Sequence, residues 1–154
     1  MNATPTTVLV IETHPLMREA LCSAITAEPD LTIAEPAING NEASQIVIAI
    51  QPDTILLAYR PDLILLALGS PGLDDLETLT MLQSSLPGIP ILALTSNEVP
   101  GQEQAALDAG ANAVLTKAAP RAELIRILRE LRTKAIMKHS EIILGKEAMG
   151  KTTP

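Results

Sequence analysis

The chain has 154 residues, 47% hydrophobic and 19% charged, with 18 acidic and 11 basic side chains and a net charge of −7. That composition supplies one domain with a sizeable core and excludes a disordered chain. It also argues against a general nucleic-acid binder, which needs basic surface to displace counterions.

Short apolar runs alternate with longer segments of helical period. Thr7–Ile11 is β-branched and apolar on both faces, as a buried parallel strand must be. Pro15 then opens a helix with Leu16, Ala20, Leu21, Ala24 and Ile25 expected on its inner face. Leu31–Ala34 reads as a second strand, and Asn41 as the cap of a helix holding Ile46, Val47 and Ile50. Pro52–Tyr59 is nearly repeated as Pro61–Leu68. The second copy is taken as strand three because it runs into the Gly69–Gly72 turn. The first copy is expected to add a turn or two of helix, covering the sheet or forming a partner patch.

Asp74 or Asp75 caps the next helix, with Leu76, Leu79 and Leu82 inward. Ile91–Leu94 is strand four, Gln102–Ala109 a helix stopped by Gly110, and Ala113–Leu115 strand five. A last helix starts at Pro120 with Leu124, Ile127, Leu128 and Leu131 on one face. Good helix formers carry it past Leu131 to an expected stop at Gly145; the alternative is an end near Arg132. Five βα units with apolar strands predict a doubly wound α/β fold, (βα)5, of flavodoxin-like kind, in strand order 2-1-3-4-5. The domain is expected to span 1–132, with 133–154 a helical extension and basic flexible tail. Charge divides at the same place: residues 1–132 carry 16 acids and 7 bases, whereas 133–154 carry four lysines and two glutamates.

Cys22 is the one cysteine, which points to a reducing, cytoplasmic setting and a packing role. Met1–Thr7 has no basic residue before its apolar run, so no signal peptide is expected. Ile55–Leu68 is broken by Arg60, Pro61 and Asp62, too short for a membrane span. Tyr59 is the only aromatic among Phe, Trp and Tyr, which leaves no stacking platform for bases or a flavin ring.

Four blocks resemble those of bacterial response-regulator receiver domains, CheY-like and closest in flavour to NarL-type regulators. They are Val8-Leu-Val-Ile-Glu-Thr-His-Pro-Leu16, Pro61-Asp-Leu-Ile-Leu-Leu-Ala-Leu-Gly-Ser-Pro-Gly-Leu-Asp74, Ile91-Leu-Ala-Leu-Thr-Ser96 and Gly110-Ala-Asn-Ala-Val-Leu-Thr-Lys117. The resemblance covers about residues 6–132 and implies a two-component, phosphorelay role. In that family an acid pair and a strand-three Asp hold Mg²⁺, the Asp accepts a phosphoryl group, and a hydroxyl and a lysine bind its oxygens. Carried over by position, the acid pair falls on Glu12 and Thr13, the acceptor on Ala67, the hydroxyl on Thr95 and the lysine on Lys117. The aromatic switch falls on Val114 or Ala113.

A methyl is no nucleophile, so the expectation is a degenerate pseudo-receiver with no catalytic residue and no enzymatic activity. Glu12 alone is a weak anchor for Mg²⁺, which wants an octahedral set of oxygens; binding is expected to be weak or absent, with no other cofactor. Asp62 opens its strand, about 16 Å from position 67 at ~3.3 Å per residue, and cannot substitute. A Glu12–Lys117 pair is expected to fill the emptied pocket.

His14 reads as helix entry, and the Asp74–Asp75 pair as capping. Gly145–Thr152 fits the G-x-x-x-x-G-K-[ST] pattern but follows no strand, so it reads as a chance match. Partners are expected to be proteins, met through the fourth predicted helix, fifth strand and fifth helix at about 101–132, with a homodimer through the extended helix; no nucleic acid or membrane is expected. A helix-turn-helix output module needs some 60 residues, and 22 follow position 132, so DNA binding by the chain itself is not expected. A conventional phosphorelay receiver with another acceptor, and a fragment of a NarL-type regulator, stay open.

Overall fold

The computed structural model describes residues 4–12, 14–34, 61–69, 75–96 and 100–151. Its elements are β1 (Thr6–Ile11), α1 (Pro15–Thr26), β2 (Leu31–Ile33), β3 (Leu63–Ala67), α2 (Asp75–Ser85), β4 (Ile91–Thr95), α3 (Gln102–Asp108), β5 (Ala113–Thr116) and α4 (Arg121–Lys151). The strands form one sheet in order β2-β1-β3-β4-β5, with every neighbouring pair parallel. This is the predicted doubly wound order. The helix expected at 41–50, the first copy of the repeat with Tyr59, the Asp74 cap and Thr13 lie outside the described residues.

Alternation along the strands divides the core into two layers, since successive side chains leave opposite faces. Val8, Val10, Leu63, Leu65, Leu92 and Leu94 meet Leu21 and Ile25 of α1 and Leu124, Ile125, Leu128 and Leu131 of α4. Leu9, Ile11, Ile64, Leu66, Ile91 and Ala93 meet Leu79 and Leu82 of α2, Leu86 just beyond its end, and Ala106 of α3. Each fully buried Leu or Ile contributes roughly 1.5–3 kcal/mol of transfer free energy. The second copy of the repeat is β3, as expected, and every residue from Leu63 to Leu68 is buried.

Three local expectations are corrected. Leu16 and Ala20 are exposed; α1 instead turns Leu21 and Ile25 inward, with Met17 and Cys22 packed beside them. Leu16 stands in the first turn, where the chain still enters from β1, so the inner face is set one position later. Leu76 is also exposed, while Leu79, Leu82 and Leu86 are buried, so α2 engages the sheet only after its first turn. Gly145 does not stop the last helix, which runs unbroken to Lys151. A glycine inside a helix costs only ~1 kcal/mol relative to alanine, and good helix formers flank it on both sides. The same helix removes any phosphate loop at 145–151, because its backbone N–H groups serve i→i−4 bonds.

Among the described residues no helix is long and apolar enough to cross a membrane.

Candidate functional site

Parallel strands bring their carboxyl ends to one edge of the sheet, where β1, β3, β4 and β5 each hand over one residue of the site. The register aligns Ile11 with Leu66, Ala67 with Leu94, and Thr95 with Thr116. Glu12, Ala67, Thr95 and Lys117 therefore stand at the ends of four adjacent strands. Beyond the paired residues, Leu68 N–H donates to the Leu94 carbonyl and Lys117 N–H to the Thr95 carbonyl, both at 2.8 Å. The second bond ties the lysine's backbone to the hydroxyl residue. Gly69 then turns the chain away from β3 with φ +85°, a conformation that glycine adopts without a Cβ penalty.

Glu12 is wholly buried, an unusual position for a carboxylate, and its neighbours explain how it is held. The His14 backbone N–H donates to Glu12 Oε1 at 2.9 Å, and His14 Nδ1 lies 3.0 Å from the same oxygen. Lys117 Nζ lies 3.9 Å from Glu12 Oε2, within ion-pair reach and too long for a hydrogen bond. The lysine is 22% exposed and the imidazole 53%, so water reaches these two side chains but not the carboxylate. His14 is also the N-cap residue of α1, and its carbonyl accepts the Arg18 N–H at 2.9 Å. Sequence reasoning placed His14 at the helix entry but missed its contact with Glu12. The signal was the two-residue spacing, which lets a side chain reach back to a nearby N–H.

Ala67 is completely buried, its methyl packed in the layer formed with α1 and α4. Thr95 is 3% exposed. Val114 and Ala113, at the position of the family's aromatic switch, are half-buried aliphatic residues packed against opposite core layers. Cys22 is half-buried, and burial pushes its thiol above the usual value, partly offset by Arg18; a neutral thiol is a poor nucleophile.

These residues do not fit a Mg²⁺ ion. Of the three positions where the resemblance implies carboxylates, Glu12, Thr13 and Ala67, only Glu12 has one. That carboxylate already faces an N–H donor on one oxygen and an ammonium on the other. The ammonium supplies the positive charge that a cation would otherwise bring.

The opposite edge of the sheet holds a second set of charges that sequence reasoning treated only as the opening of a strand. Asp62 Oδ2 accepts the Thr7 N–H at 2.9 Å, and its Oδ1 lies 3.4 Å from the Arg132 guanidinium. Arg129 hydrogen-bonds both oxygens of Asp30 at 2.9 Å and Glu28 at 3.1 Å. The Arg129 hydrogen bonds hold the Asp30 carboxyl below its usual range.

Residues 8–129 match the family model of the response regulator receiver domain. The nitrate/nitrite response regulator protein NarL of Escherichia coli K12 is 32% identical over 132 residues, covering 84% of this chain and 56% of that protein. A protein-glutamate methylesterase/protein-glutamine glutaminase of Anaeromyxobacter dehalogenans is 30% identical over 130 residues, 84% of this chain and 35% of that protein. The chain thus spans about half the length, or less, of these curated relatives. Among solved structures, a CheY-like receiver domain protein from Methanospirillum hungatei superposes with a TM-score of 0.68 at 14% identity, covering 88% of this chain and 99% of that one.

Proposed function

This chain belongs to the response regulator receiver domain family, and from that premise we propose that it is a phosphorylation-independent member, a pseudo-receiver. It signals by protein–protein contact and catalyses no reaction. One observation carries the proposal: the residue at the end of β3, where the family's phosphoryl acceptor stands, is Ala67, a buried methyl. A methyl offers no lone pair to a phosphoryl donor, and no environment changes that. The Glu12–Lys117 contact supports the same reading, because the lysine that would meet phosphoryl oxygens faces an internal carboxylate instead. Glu12 is a poor substitute acceptor: it is fully buried and shares one oxygen with the His14 N–H.

The pocket of Glu12, Ala67, Thr95 and Lys117 is then a structural joint of four strand ends. The surface offered to protein partners is the one formed by α3, β5 and the first half of α4, residues 101–132. The likeness to NarL over 56% of that protein favours one extension of the reading, that the chain serves as the receiver portion of a NarL-type regulator. Such a role needs an output domain that this chain does not supply within 1–132.

Intact mass measured after incubation with acetyl phosphate and Mg²⁺ tests the proposal. The expected result is an unchanged mass. A stoichiometric gain of one phosphoryl group, removed by hydroxylamine, would overturn it. Ala67→Asp alone is expected to give no efficient acceptor, since position 13 still lacks a carboxylate.

A further inference from the structure

The charges along α4 divide at Arg132. Every arginine up to that point meets a carboxylate: Arg121 meets Glu28, Arg126 meets Glu123 and Glu130, Arg129 meets Asp30 and Glu28, and Arg132 meets Asp62. Beyond it the pattern stops. Lys134, Lys138 and His139 are exposed, and no described residue pairs with any of them. Glu130, one turn before Lys134, is already held by Arg126 at 2.6 Å.

These three cations line one groove of about 400 Å³, at the amino ends of β4 and β5, between α4 and the segment that joins α2 to β4. At about 100° per residue, Leu131 and Ala135 lie between the two lysines on one side and His139 on the other. Across from this apolar strip stand Pro87 and Pro90, which carry no N–H group. At the end of the groove Asn112 Oδ1 accepts the Ile91 N–H at 2.8 Å, so the amide's –NH₂ side is the one left for an acceptor. Among the described residues that line the groove there is no carboxylate.

We propose that this groove docks an acidic segment of a partner protein that also carries aliphatic side chains. Its carboxylates meet Lys134, Lys138 and the His139 N–H, and an aliphatic side chain seats on Leu131 and Ala135 against the two prolines. Charge complementarity names the occupant: every lining charge is a donor, and all are unpaired by the chain's own described acids. The floor argues for a peptide over a nucleic acid. It offers apolar contact where a phosphate backbone needs N–H donors, and the body behind it, with 16 acids to 7 bases in residues 1–132, repels a polyanion at longer range. A peptide brings its carboxylates only to the rim. The inference adds a second surface to the reading of the chain as a protein-binding module, at the end of the sheet opposite Glu12. It stands whether or not position 67 accepts a phosphoryl group.

Fluorescence anisotropy of the full chain with a labelled peptide of glutamates interrupted by leucines tests it. Saturable binding is expected, weakening as salt is raised. Lys134→Gln combined with Lys138→Gln should weaken it about tenfold, and both positions are exposed, so the fold is kept. Arg126→Gln removes a cation of the same helix outside the groove and should leave binding unchanged. Replacing the peptide's glutamates by glutamines, or its leucines by serines, should each weaken binding several-fold. Absence of binding, an equal loss from Arg126→Gln and Lys138→Gln, a glutamine peptide that binds as well, or a single-stranded oligonucleotide that binds more tightly at the same lysines would overturn the proposal.

Discussion

The two edges of the sheet use charge in opposite ways. At the carboxyl ends of the strands a single carboxylate, Glu12, is removed from water and satisfied from within by His14 and Lys117. At the amino ends, Asp62, Asp30 and Glu28 meet Arg132 and Arg129 in contacts that water still reaches. Both edges fasten α4 or its approach to the sheet. Only the first does so with a group whose desolvation must be offset, so the same kind of ion pair carries different weight at the two places. At the first edge the charges of Glu12 and Lys117 face one another.

The largest effect is expected from Glu12→Leu. It strands the His14 N–H and the Lys117 ammonium together, and should cost about 3 kcal/mol in chemical unfolding. A loss below about 0.5 kcal/mol would mean that the edge is wet and that the two sites do not differ. Ala67→Asp follows, at about 2 kcal/mol at neutral pH, because it puts a second acid into a fully buried position on the Glu12 edge. Lys117→Met should cost about 1–2 kcal/mol, tempered by the lysine's partial exposure.

At the other edge, Asp62→Ala should cost about 1 kcal/mol, chiefly for the lost acceptor of the Thr7 N–H. Raised salt should shrink only its ion-pair share. The smallest change is expected from Asp30→Asn and has a pH signature. The native state holds this carboxyl below its usual value, so its contribution is present above the unfolded-state value and lost as pH falls through the folded one. Melting temperatures of the two proteins should therefore differ slightly at neutral pH and converge in acid. A gap that persists at low pH would show that the contact is not electrostatic.

Much of the site could be read in the chain because its residues stand at strand ends, and apolar runs mark strand ends clearly. Glu12 follows Thr7–Ile11, Ala67 closes Leu63–Leu66, and Thr95 and Lys117 follow two more runs. The family blocks then identified what stands at each end. Legibility stopped where an interaction depends on a distance across the fold. Asp62 was seen as the first residue of a strand and ruled out as an acceptor, correctly for the pocket at the far end. Its bond to Thr7 N–H and its contact with Arg132 join positions 55 and 70 residues apart. No local pattern announces such a pair.

The sequence by itself determined the strand order, the choice of the second repeat copy as β3 and the absence of a nucleophile at position 67. The first follows from repeated βα units with right-handed crossovers, the second from the turn at Gly69–Gly72 and the third from residue type. Tertiary structure decided which turn of each helix first touches the sheet, and so left Leu16 and Leu76 outside while Leu21 and Leu79 went in. It also decided that α4 continues through Gly145. The physical reason is common to both: helix period fixes which residues share a face, but the angle at which a loop delivers the helix fixes where that face begins to pack.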